Sequence, residues 1–408
     1  MKSPLKLLQI GKHYHPDTGG IETVTRDLSE ALPRHGVDAD ILCLGYKGKT
    51  YPPLLMTEYE VARAAPLAQF GNKVLSLDYI RRLRALQPRY DAALLHVPNP
   101  LGVLGALTYW RKPLFLLWHA DIPQPRLAAL SSPFDEMLIK RAAAVIAPTP
   151  AHAHGSRHAA AILPKHHVAP YAFSTDRLAA AWHDAPPVKA LAQFAAGKRI
   201  VLSVGRLVPY KGFDILIEAA QMLVPDACVV IVGGGELENQ LRGMIEARGL
   251  AKRVMLLGEV EDAALSACYE RAHIVCMPSV TAAEMYGMVQ VEAMAHGKPV
   301  VSTNIPKSGV PYVNRHGETG LVVEPGNATA LASALNSILS SPAVHAQLSQ
   351  GAAARFRDDH DFEKSGFRYA SIIREALMSS RAAQSKGGLS GDHKDGMDVL
   401  HRAGTTDR

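Results

Sequence analysis

The chain has 408 residues, of which 48% are hydrophobic and 20% charged, and its formal net charge is +6. Since one hydrophobic core rarely serves more than about 250–300 residues, the length predicts two domains, and the composition excludes a disordered chain and a coiled coil. The positive charge suits an anionic ligand or an anionic membrane surface, but the basic cluster at residues 81–84 is too short for a nucleic-acid groove, so nucleic acid is excluded as a partner.

Short apolar segments alternate with longer amphipathic stretches along the chain, which predicts parallel β-sheets covered by helices. The predicted strands of the first half are residues 5–11, 38–44, 92–97, 114–119 and 144–149. Those of the second half are residues 200–205, 228–233, 254–260, 274–278 and 299–303. The sequence therefore predicts the α/β class, with one Rossmann-like domain at residues 1–184 and a second at residues 185–360.

The boundary between the halves is predicted at Asp184-Ala185-Pro186-Pro187, because its prolines disfavour a helix and suit an interdomain linker. Apolar residues recur at close to helical spacing from Phe362 to Leu377, so a helix with one buried face is expected at residues 361–380. The tail at residues 381–408 is predicted to be disordered, since its few large apolar side chains cannot offset the entropy of ordering it.

The N-terminus and the cysteines indicate the compartment. Residues 1–10 lack the long apolar core and the cleavage site of a signal peptide, and the apolar stretch at 94–110 is broken by prolines and too short to span a bilayer. The four cysteines form no CxxC pair and are predicted to be reduced core residues. We therefore expect a cytoplasmic protein, at most peripheral on the inner face of the cytoplasmic membrane.

A glycine pair follows the first predicted strand, in the segment Asp17-Thr18-Gly19-Gly20-Ile21-Glu22, where a helix is expected to begin. Paired glycines let the backbone approach a ligand closely, and the first turn of a helix offers free N–H groups and a positive dipole end to a phosphate. Gly19 and Gly20 are therefore candidate phosphate-binding residues, although a plain turn before a helix has the same local pattern.

A second glycine loop follows the first strand of the second half, at the strand end where open α/β sheets bind ligands. It begins at Gly205 and contains two cations, Arg206 and Lys211. Both side chains are expected to converge on a diphosphate, whose negative charge grows as a glycosidic bond breaks. A solvated loop is the alternative interpretation of these two charges.

A third loop, Gly233-Gly234-Gly235, follows the next strand and suggests close passage of the backbone past a nucleotide, with Gly234 in contact. It superficially suggests a dinucleotide fingerprint. That motif belongs to the first strand-to-helix turn, however, and Glu238 stands at the place of its last glycine. A dehydrogenase function is therefore not favoured.

The most specific signal is a pair of carboxylates, Glu284 and Glu292, with seven residues between them at an expected loop-to-helix junction. Glu284 is expected in the loop and Glu292 on the helix, so the pair can hold hydroxyl groups at two points of one ligand. Free N–H groups at the start of the helix suit phosphate oxygens. The intervening candidate binding residues are Met285, Tyr286, Gly287, Met288 and Val289.

Together, the Glu-x7-Glu element, the Gly-Arg-x4-Lys-Gly loop and the Gly-Gly-Ile-Glu loop resemble the retaining GT-B glycosyltransferases of family 4, over residues 5–380. The resemblance implies two Rossmann-like domains whose parallel sheets face each other across a cleft. It also implies that the first domain binds the acceptor and the second binds the nucleotide-sugar donor. The C-terminal helix would cross back to the first domain.

The resemblance implies a role for each candidate residue. Glu292 would hold the ribose hydroxyls, and Glu284 would hold hydroxyls of the transferred sugar. Arg206 and Lys211 would neutralise the diphosphate. His119, at the end of a first-half strand, would lie near the reacting sugar, with a purely structural histidine as the alternative.

In this family the acceptor attacks the donor sugar from its front face, the face that the diphosphate leaves. The resemblance therefore implies that no protein nucleophile is needed. It also implies no metal and no other cofactor, and Asp38-Ala39-Asp40 matches a metal-binding DxD motif in letters only, because it lies in a predicted strand. Two positions depart from the family pattern: Ala172 stands where relatives commonly carry glycine, and Tyr286 where phenylalanine is usual. These departures leave the charged contacts in place.

Residues 308–320 resemble a segment of bacterial mannosyltransferases of polysaccharide assembly. The expected reaction is transfer of a hexose, with mannose from GDP-mannose as first choice, to a saccharide acceptor carried on a polyprenyl diphosphate. The expected process is exopolysaccharide or lipopolysaccharide biosynthesis. Two alternatives remain, a nucleotide-sugar epimerase and a non-catalytic nucleotide-sugar-binding protein. The sequence predicts no oligomeric state.

Overall fold

The computed structural model describes residues 3–17, 19–51, 59–70, 73–122, 124–177 and 183–388. Within these ranges the strands form two parallel sheets and one short antiparallel hairpin. The strands are β1 (Leu5–Ile10), β2 (Val37–Leu44), β3 (Val61–Ala64), β4 (Ala68–Phe70), β5 (Lys73–Leu75), β6 (Ala92–Val97), β7 (Leu114–Trp118), β8 (Ala144–Ala147), β9 (His166–Val168), β10 (Arg199–Val204), β11 (Ala227–Val232), β12 (Val254–Gly258), β13 (Ile274–Met277), β14 (Val300–Thr303) and β15 (Gly320–Val323).

The helices of the same ranges connect these strands or pack on the sheet faces. They are α1 (Gly20–Ala31), α2 (Leu77–Leu86), α3 (Pro100–Thr108), α4 (Pro125–Arg141), α5 (Pro150–His154), α6 (Ala159–Ile162), α7 (Pro186–Phe194), α8 (Phe213–Ala219), α9 (Glu238–Ala247), α10 (Asp262–Arg271), α11 (Met288–Ala295), α12 (Val310–Val313), α13 (Ala328–Ser340), α14 (Pro342–Arg355) and α15 (Phe362–Gly388). A π-helical turn, Phe356–His360, joins the last two.

The first sheet has the order β3-β2-β1-β6-β7-β8-β9 and the second the order β12-β11-β10-β13-β14-β15. Every pairing within them is parallel, for example β1 with β2 and β10 with β11. In each sheet the order reverses beside the first strand, so the loops after β1 and β10 open into a crevice at the carboxyl ends. The predicted α/β class with two Rossmann-like sheets is confirmed.

All ten strands predicted from the sequence are present, with ends within two residues of the predicted ends. Their residues are apolar because helices cover both faces of each sheet. Every residue of β6 and of β11 is buried. The strands of the first sheet lie before residue 184 and those of the second after it. The domain limits at residues 184 and 360 remain predictions.

The predicted linker is wrong in one respect, because Pro186 begins α7 rather than interrupting helical structure. A proline costs nothing at the first helical position, where its missing N–H would have no partner and its φ already suits a helix. Val188 and Leu191 of α7 are fully buried, and α7 packs against β12 and α10 of the second half. The helix therefore belongs to the packing of the second sheet.

The C-terminal helix α15 has one buried face, which includes Tyr369, Ile373 and Leu377, as predicted. It packs against α1 of the first half, and a Cβ atom built on Gly366 would lie 2.9 Å from the Ala31 Cβ atom. The helix α15 extends to Gly388, so residues 381–388 of the predicted tail belong to it, and the predicted disorder of the tail stays a prediction. Residues 389–408 of the predicted disordered tail lie outside the described residues.

Buried residues join the two halves. One hydrophobic cluster contains Leu7 and Phe115 of the first sheet, Ile200 and Val275 of the second, and Tyr369 of α15. The four cysteines are free and buried, which confirms their prediction as core residues. In the described part of the chain, no helix has the length and apolarity needed to cross a membrane.

Candidate functional site

The glycine loops after β10 and β11 lie side by side. The Gly205 N–H donates to the Val232 carbonyl (2.9 Å), and the Leu207 N–H donates to the Gly234 carbonyl (2.8 Å). A Cβ atom on Gly233 would lie 2.1 Å from the Gly205 carbonyl oxygen, and Gly233 has a φ of 133°. Glycine is therefore required there, because any side chain would separate the two loops.

Lys211 and Glu284, predicted from separate loops, form an ion pair at this edge of the second sheet. Lys211 Nζ lies 2.5 Å from Glu284 Oε2, and the two side chains are only 12% and 10% exposed. Ser279 Oγ donates to the same carboxylate oxygen at 3.0 Å. The Lys211 side chain lies over Gly205, whose Cβ atom would be 3.3 Å from Lys211 Cε. The pair thus places an ammonium group directly above the glycine loop.

The loop from Glu284 to Gly287 connects β13 to α11, as predicted. Ser308 Oγ donates to the Glu284 carbonyl (2.5 Å), and the Gly309 N–H donates to the Met285 carbonyl (2.8 Å). Gly287 has a φ of 75°, and a Cβ atom on it would lie 2.6 Å from the Met277 sulfur atom. These contacts fix the loop so that α11 begins at Met288 with its N–H groups at the crevice.

Glu292 projects from α11 just over one turn after its start. The Tyr269 hydroxyl of α10 donates to Glu292 Oε2 at 2.6 Å. Burial, followed by the charge of Glu292, raises the pKa of Tyr269 well above its ordinary value, so the phenol keeps its proton. The hydrogen bond orients the Glu292 carboxylate. The loop after β13 and the helix α11 that follows it thus each present one carboxylate, from Glu284 and Glu292.

The glycine pair of the first half faces this loop across the crevice. Gly20 is the first residue of α1, and a Cβ atom on it would lie 3.9 Å from Met288 Cγ. Arg206 is exposed. Burial raises the pKa of Glu22 in α1, and the charge of Arg206 opposes that shift. The starts of α1 and α11 and the cation Arg206 are thus brought together, and a diphosphate between them would meet N–H groups from both sides.

His119 follows β7 and is 5% exposed. Its Nε2 atom lies 3.0 Å from His96 Nδ1, and its Nδ1 atom is hydrogen-bonded to the Tyr171 hydroxyl. Burial lowers the pKa of His119 well below its ordinary value, so the ring is neutral. Both ring nitrogens are therefore bonded to protein groups, and the role of His119 beside a reacting sugar remains a prediction.

Buried histidines make the stability of the chain depend on pH. Burial lowers the pKa of His96 and of His152 to about 3 and that of His360 to about 4. Unfolding restores pKa values near 6.5, so below that pH the unfolded chain binds protons that the folded chain does not. We expect the free energy of unfolding to fall between pH 7 and pH 5, by about 1.4 kcal/mol per pH unit for each such histidine below pH 6. Denaturant titrations at pH 7, 6 and 5 measure this, and equal stabilities at the three values would contradict it.

The structure adds contacts that the sequence analysis missed. Ser279 stands two residues after the last residue of β13, so its position near a strand end was a usable signal. Tyr269 reaches Glu292 across a separation of 23 residues, and Tyr171 reaches His119 across 52. No local sequence pattern predicts the contacts of these two tyrosines, because the contacts depend on the packing of elements that are distant in the sequence.

The DxD-like triplet Asp38-Ala39-Asp40 lies in β2, as predicted. Asp40 accepts hydrogen bonds from the Tyr90 hydroxyl (2.9 Å) and from the Glu60 N–H (2.7 Å). Of the residues that the structure describes, no group of three or more His, Cys, Asp or Glu side chains could hold a metal ion. The expectation that no metal or other cofactor is needed remains a prediction.

Comparisons with known proteins match both halves of the chain. Residues 189–355 match the family described as Glycosyl transferases group 1, and residues 18–177 match Glycosyltransferase Family 4. The D-rhamnosyltransferase WbpZ of Pseudomonas aeruginosa is 30% identical over 86% of this chain and 91% of its own length. The O-antigen chain mannosyltransferase C of Escherichia coli is 27% identical over 87% of this chain and 94% of its own length.

Solved structures show the same architecture. Anabaena HepE, crystallised in complex with UDP, is 24% identical to this chain, which it matches with a TM-score of 0.72. The match covers 92% of this chain and 100% of that structure. The arrangement of two parallel α/β sheets is therefore the GT-B fold.

Proposed function

Since this chain belongs to the group 1, family 4 glycosyltransferases and has the GT-B fold, we propose that it is a retaining hexosyltransferase that uses a nucleotide-diphosphate sugar. The observation that carries the proposal is the buried pair of Lys211 and Glu284 beside the glycine loops. The pair offers an ammonium group to a diphosphate and a carboxylate to sugar hydroxyls at the same place. Glu292, further along the same element, would hold the ribose.

We propose GDP-mannose as the donor. Support comes from a relative named as an O-antigen chain mannosyltransferase and from another named as GDP-mannose-dependent. Their names also support a role in the synthesis of polysaccharide or glycolipid. HepE was crystallised with UDP, so UDP-sugars form the comparison set for the donor test.

The proposed reaction breaks the bond between the anomeric carbon and the diphosphate and forms a bond from that carbon to an acceptor oxygen. The acceptor hydroxyl attacks on the face that the diphosphate leaves, and the departing phosphate oxygen takes its proton. Lys211, Arg206 and the N–H groups at Gly20 and Met288 would stabilise the growing negative charge of the diphosphate. Charge stabilisation of this kind needs no protein nucleophile.

We propose a lipid-linked saccharide as the acceptor. The basic cluster of α2 gives it little support, because Arg81 and Arg82 both pair with Asp78, at 2.9 and 2.6 Å. The helix α4 gives the proposal more support. Its apolar residues Leu130, Phe134 and Met137 recur at helical spacing and are 72%, 48% and 57% exposed, so they form an exposed apolar face. Such a face is compatible with contact to lipid near the acceptor-binding half.

The epimerase alternative is less well supported by the site. An epimerase requires an acid and a base that can reach the sugar. Both ring nitrogens of His119 are bonded to protein groups, and Asp121 accepts hydrogen bonds from Trp118 Nε1 (3.2 Å) and Ser156 Oγ (2.7 Å). Neither side chain is therefore free to serve as that acid or base in this arrangement.

A transfer assay tests the proposed function. The protein is incubated with radiolabelled GDP-mannose, GDP-fucose, UDP-glucose or UDP-galactose, with and without a polyprenyl-diphosphate-linked saccharide. We expect labelled lipid-linked product only with acceptor present, fastest from GDP-mannose, and with the anomeric configuration of the donor by NMR.

Other outcomes of this assay decide against the proposal. Conversion of the donor to an epimer without acceptor would establish the epimerase. Donor binding without any conversion, with or without the acceptor, would favour the binding protein. Product of inverted configuration would refute the retaining mechanism while leaving transfer intact.

A further inference from the structure

A continuous chain of buried hydrogen bonds runs from α1 to Tyr171, and one backbone carbonyl fixes its direction. Gln9 Nε2 lies 3.2 Å from the Thr25 carbonyl oxygen and 2.6 Å from Ser29 Oγ. Because a carbonyl can only accept, the nitrogen of the Gln9 amide must face it. The Gln9 carbonyl oxygen is thereby directed to His96 Nε2, at 2.9 Å.

The protonation of both histidines follows from that direction. His96 Nε2 must carry hydrogen to bond the Gln9 oxygen, and a neutral imidazole then leaves Nδ1 as an acceptor. His119 Nε2 must therefore donate to His96 Nδ1, and His119 Nδ1 must accept from the Tyr171 hydroxyl. His96 and His119 are 2% and 5% exposed, so both rings are buried in protein. We call this chain, from Gln9 through His96 and His119 to Tyr171, the histidine relay.

Tyr171 continues the connection into the donor loop. Its ring packs against that of Tyr286 with centroids 4.5 Å apart, and its N–H donates to the Tyr286 hydroxyl at 3.3 Å. Its carbonyl lies 3.2 Å from His360 Nδ1 in the turn before α15. Tyr171 is 4% exposed and is held at its backbone, ring and hydroxyl, so it is a fixed element and not a side chain that swings out.

We propose that Tyr171 is a positioning residue whose hydroxyl, by donating to His119 Nδ1, completes the relay that Gln9 directs and thereby couples the phosphate-facing start of α1 to the donor loop at Tyr286. Gln9 and Thr25 tie the relay to α1, whose first residue Gly20 faces Met288 across the crevice. The relay therefore sets how the two halves of the diphosphate site approach each other. This inference rests on the proposed transferase function.

The variant Tyr171→Phe tests the proposal, because it keeps the ring on Tyr286 and removes only the hydroxyl. We expect kcat to fall about tenfold with the donor KM unchanged, since approach of the two halves matters in the transition state and less for donor binding to the second half. Nitrogen-15 NMR gives a second readout. We expect the His119 Nδ1 resonance of the wild type to be that of a hydrogen-bonded imine nitrogen, and that of Tyr171→Phe to move to the position of an unbonded imine nitrogen or of an N–H.

The matched control is Tyr369→Phe, which also removes a buried tyrosine hydroxyl. Tyr369 donates to the Ala169 carbonyl at 2.9 Å and is outside the relay. We expect the control to lower the melting temperature as much as Tyr171→Phe does while kcat and the His119 resonances stay at wild-type values. Equal kcat and equal His119 resonances in Tyr171→Phe and wild type would overturn the proposal. A wild-type protein that transfers no sugar would instead refute the proposed function, and the NMR readout would still decide the tautomer.

Discussion

Replacing Lys211 with methionine is expected to reduce kcat/KM by about a hundredfold to a thousandfold, the usual effect of removing one group that stabilises transition-state charge. Methionine preserves much of the side-chain volume over Gly205 but removes the ammonium group. The diphosphate then loses its buried cation, and the Glu284 carboxylate loses the ammonium group beside it while the hydrogen bond from Ser279 Oγ stays. Steady-state kinetics with the donor identified in the transfer assay measure the loss.

A double variant separates the two consequences of this change. Lys211→Met alone leaves a carboxylate that is only 10% exposed without its cation, which should also destabilise the fold. Adding Glu284→Gln removes that stranded charge. We expect the double variant to recover thermal stability but not activity.

The control Lys189→Met breaks an ion pair of exposed side chains, with 3.7 Å between Lys189 Nζ and Asp184 Oδ1. It should change neither thermal stability nor activity. Recovery of kcat in the double variant would show that Lys211 serves stability alone.

Replacing Glu292 with glutamine is expected to weaken nucleotide binding about tenfold to a hundredfold, because a hydrogen bond to a charged acceptor is worth about 1.5–3 kcal/mol. The change keeps the shape of the side chain, and the amide oxygen can still accept from Tyr269. We expect the loss to appear in the Kd of GDP and in the donor KM, with a smaller effect on kcat. Isothermal titration calorimetry with GDP and with UDP measures it.

Two further variants qualify the Glu292 result. Tyr269→Phe removes the hydrogen bond that orients the carboxylate, so it should weaken GDP binding less than Glu292→Gln does. Glu246→Gln changes an exposed carboxylate on α9 and serves as the control. Unchanged GDP affinity in Glu292→Gln, with the control also unchanged, would show that the ribose is held elsewhere.

The sequence predicted the central strands of both sheets because helices cover them on both faces, which leaves unbroken apolar runs such as Ala92–Val97. It missed β3, β9 and β15, and all three are edge strands. An edge strand is only half covered, so β3 and β9 are mixed in polarity, as in Val61–Ala64 and His166–Val168. The strand β15 is apolar but has only four residues. It missed the hairpin β4–β5 because each strand has only three residues.

Some residues of the candidate site could be predicted from the sequence, because their place after a predicted strand is enough to identify them. Glycines and charged residues in the loops that follow strands gave Gly205, Lys211 and Glu284, and the topology brings these loops to one edge of the second sheet. The histidine relay was not predictable, because it needs the orientation of side chains from β1, β6 and β7 toward one point. The start of α7 was misread because proline signals both a loop and the first turn of a helix.

Tyr286, which stands where the family usually has phenylalanine, makes two polar contacts through its hydroxyl. Its hydroxyl accepts from the Tyr171 N–H and lies 3.3 Å from His360 Nδ1. A phenylalanine could make neither contact. The donor loop is thus tied to the segment after β9 and to the turn before α15 in a way that the sequence comparison with the family did not suggest.

A crystal structure of the protein with GDP tests the central claim most directly, since that claim is a position. We expect the diphosphate beside Lys211 and Arg206 at the starts of α1 and α11, with the ribose hydroxyls on the Glu292 carboxylate. A nucleotide bound away from these residues, with the Lys211–Glu284 pair unchanged and no phosphate near it, would contradict the account.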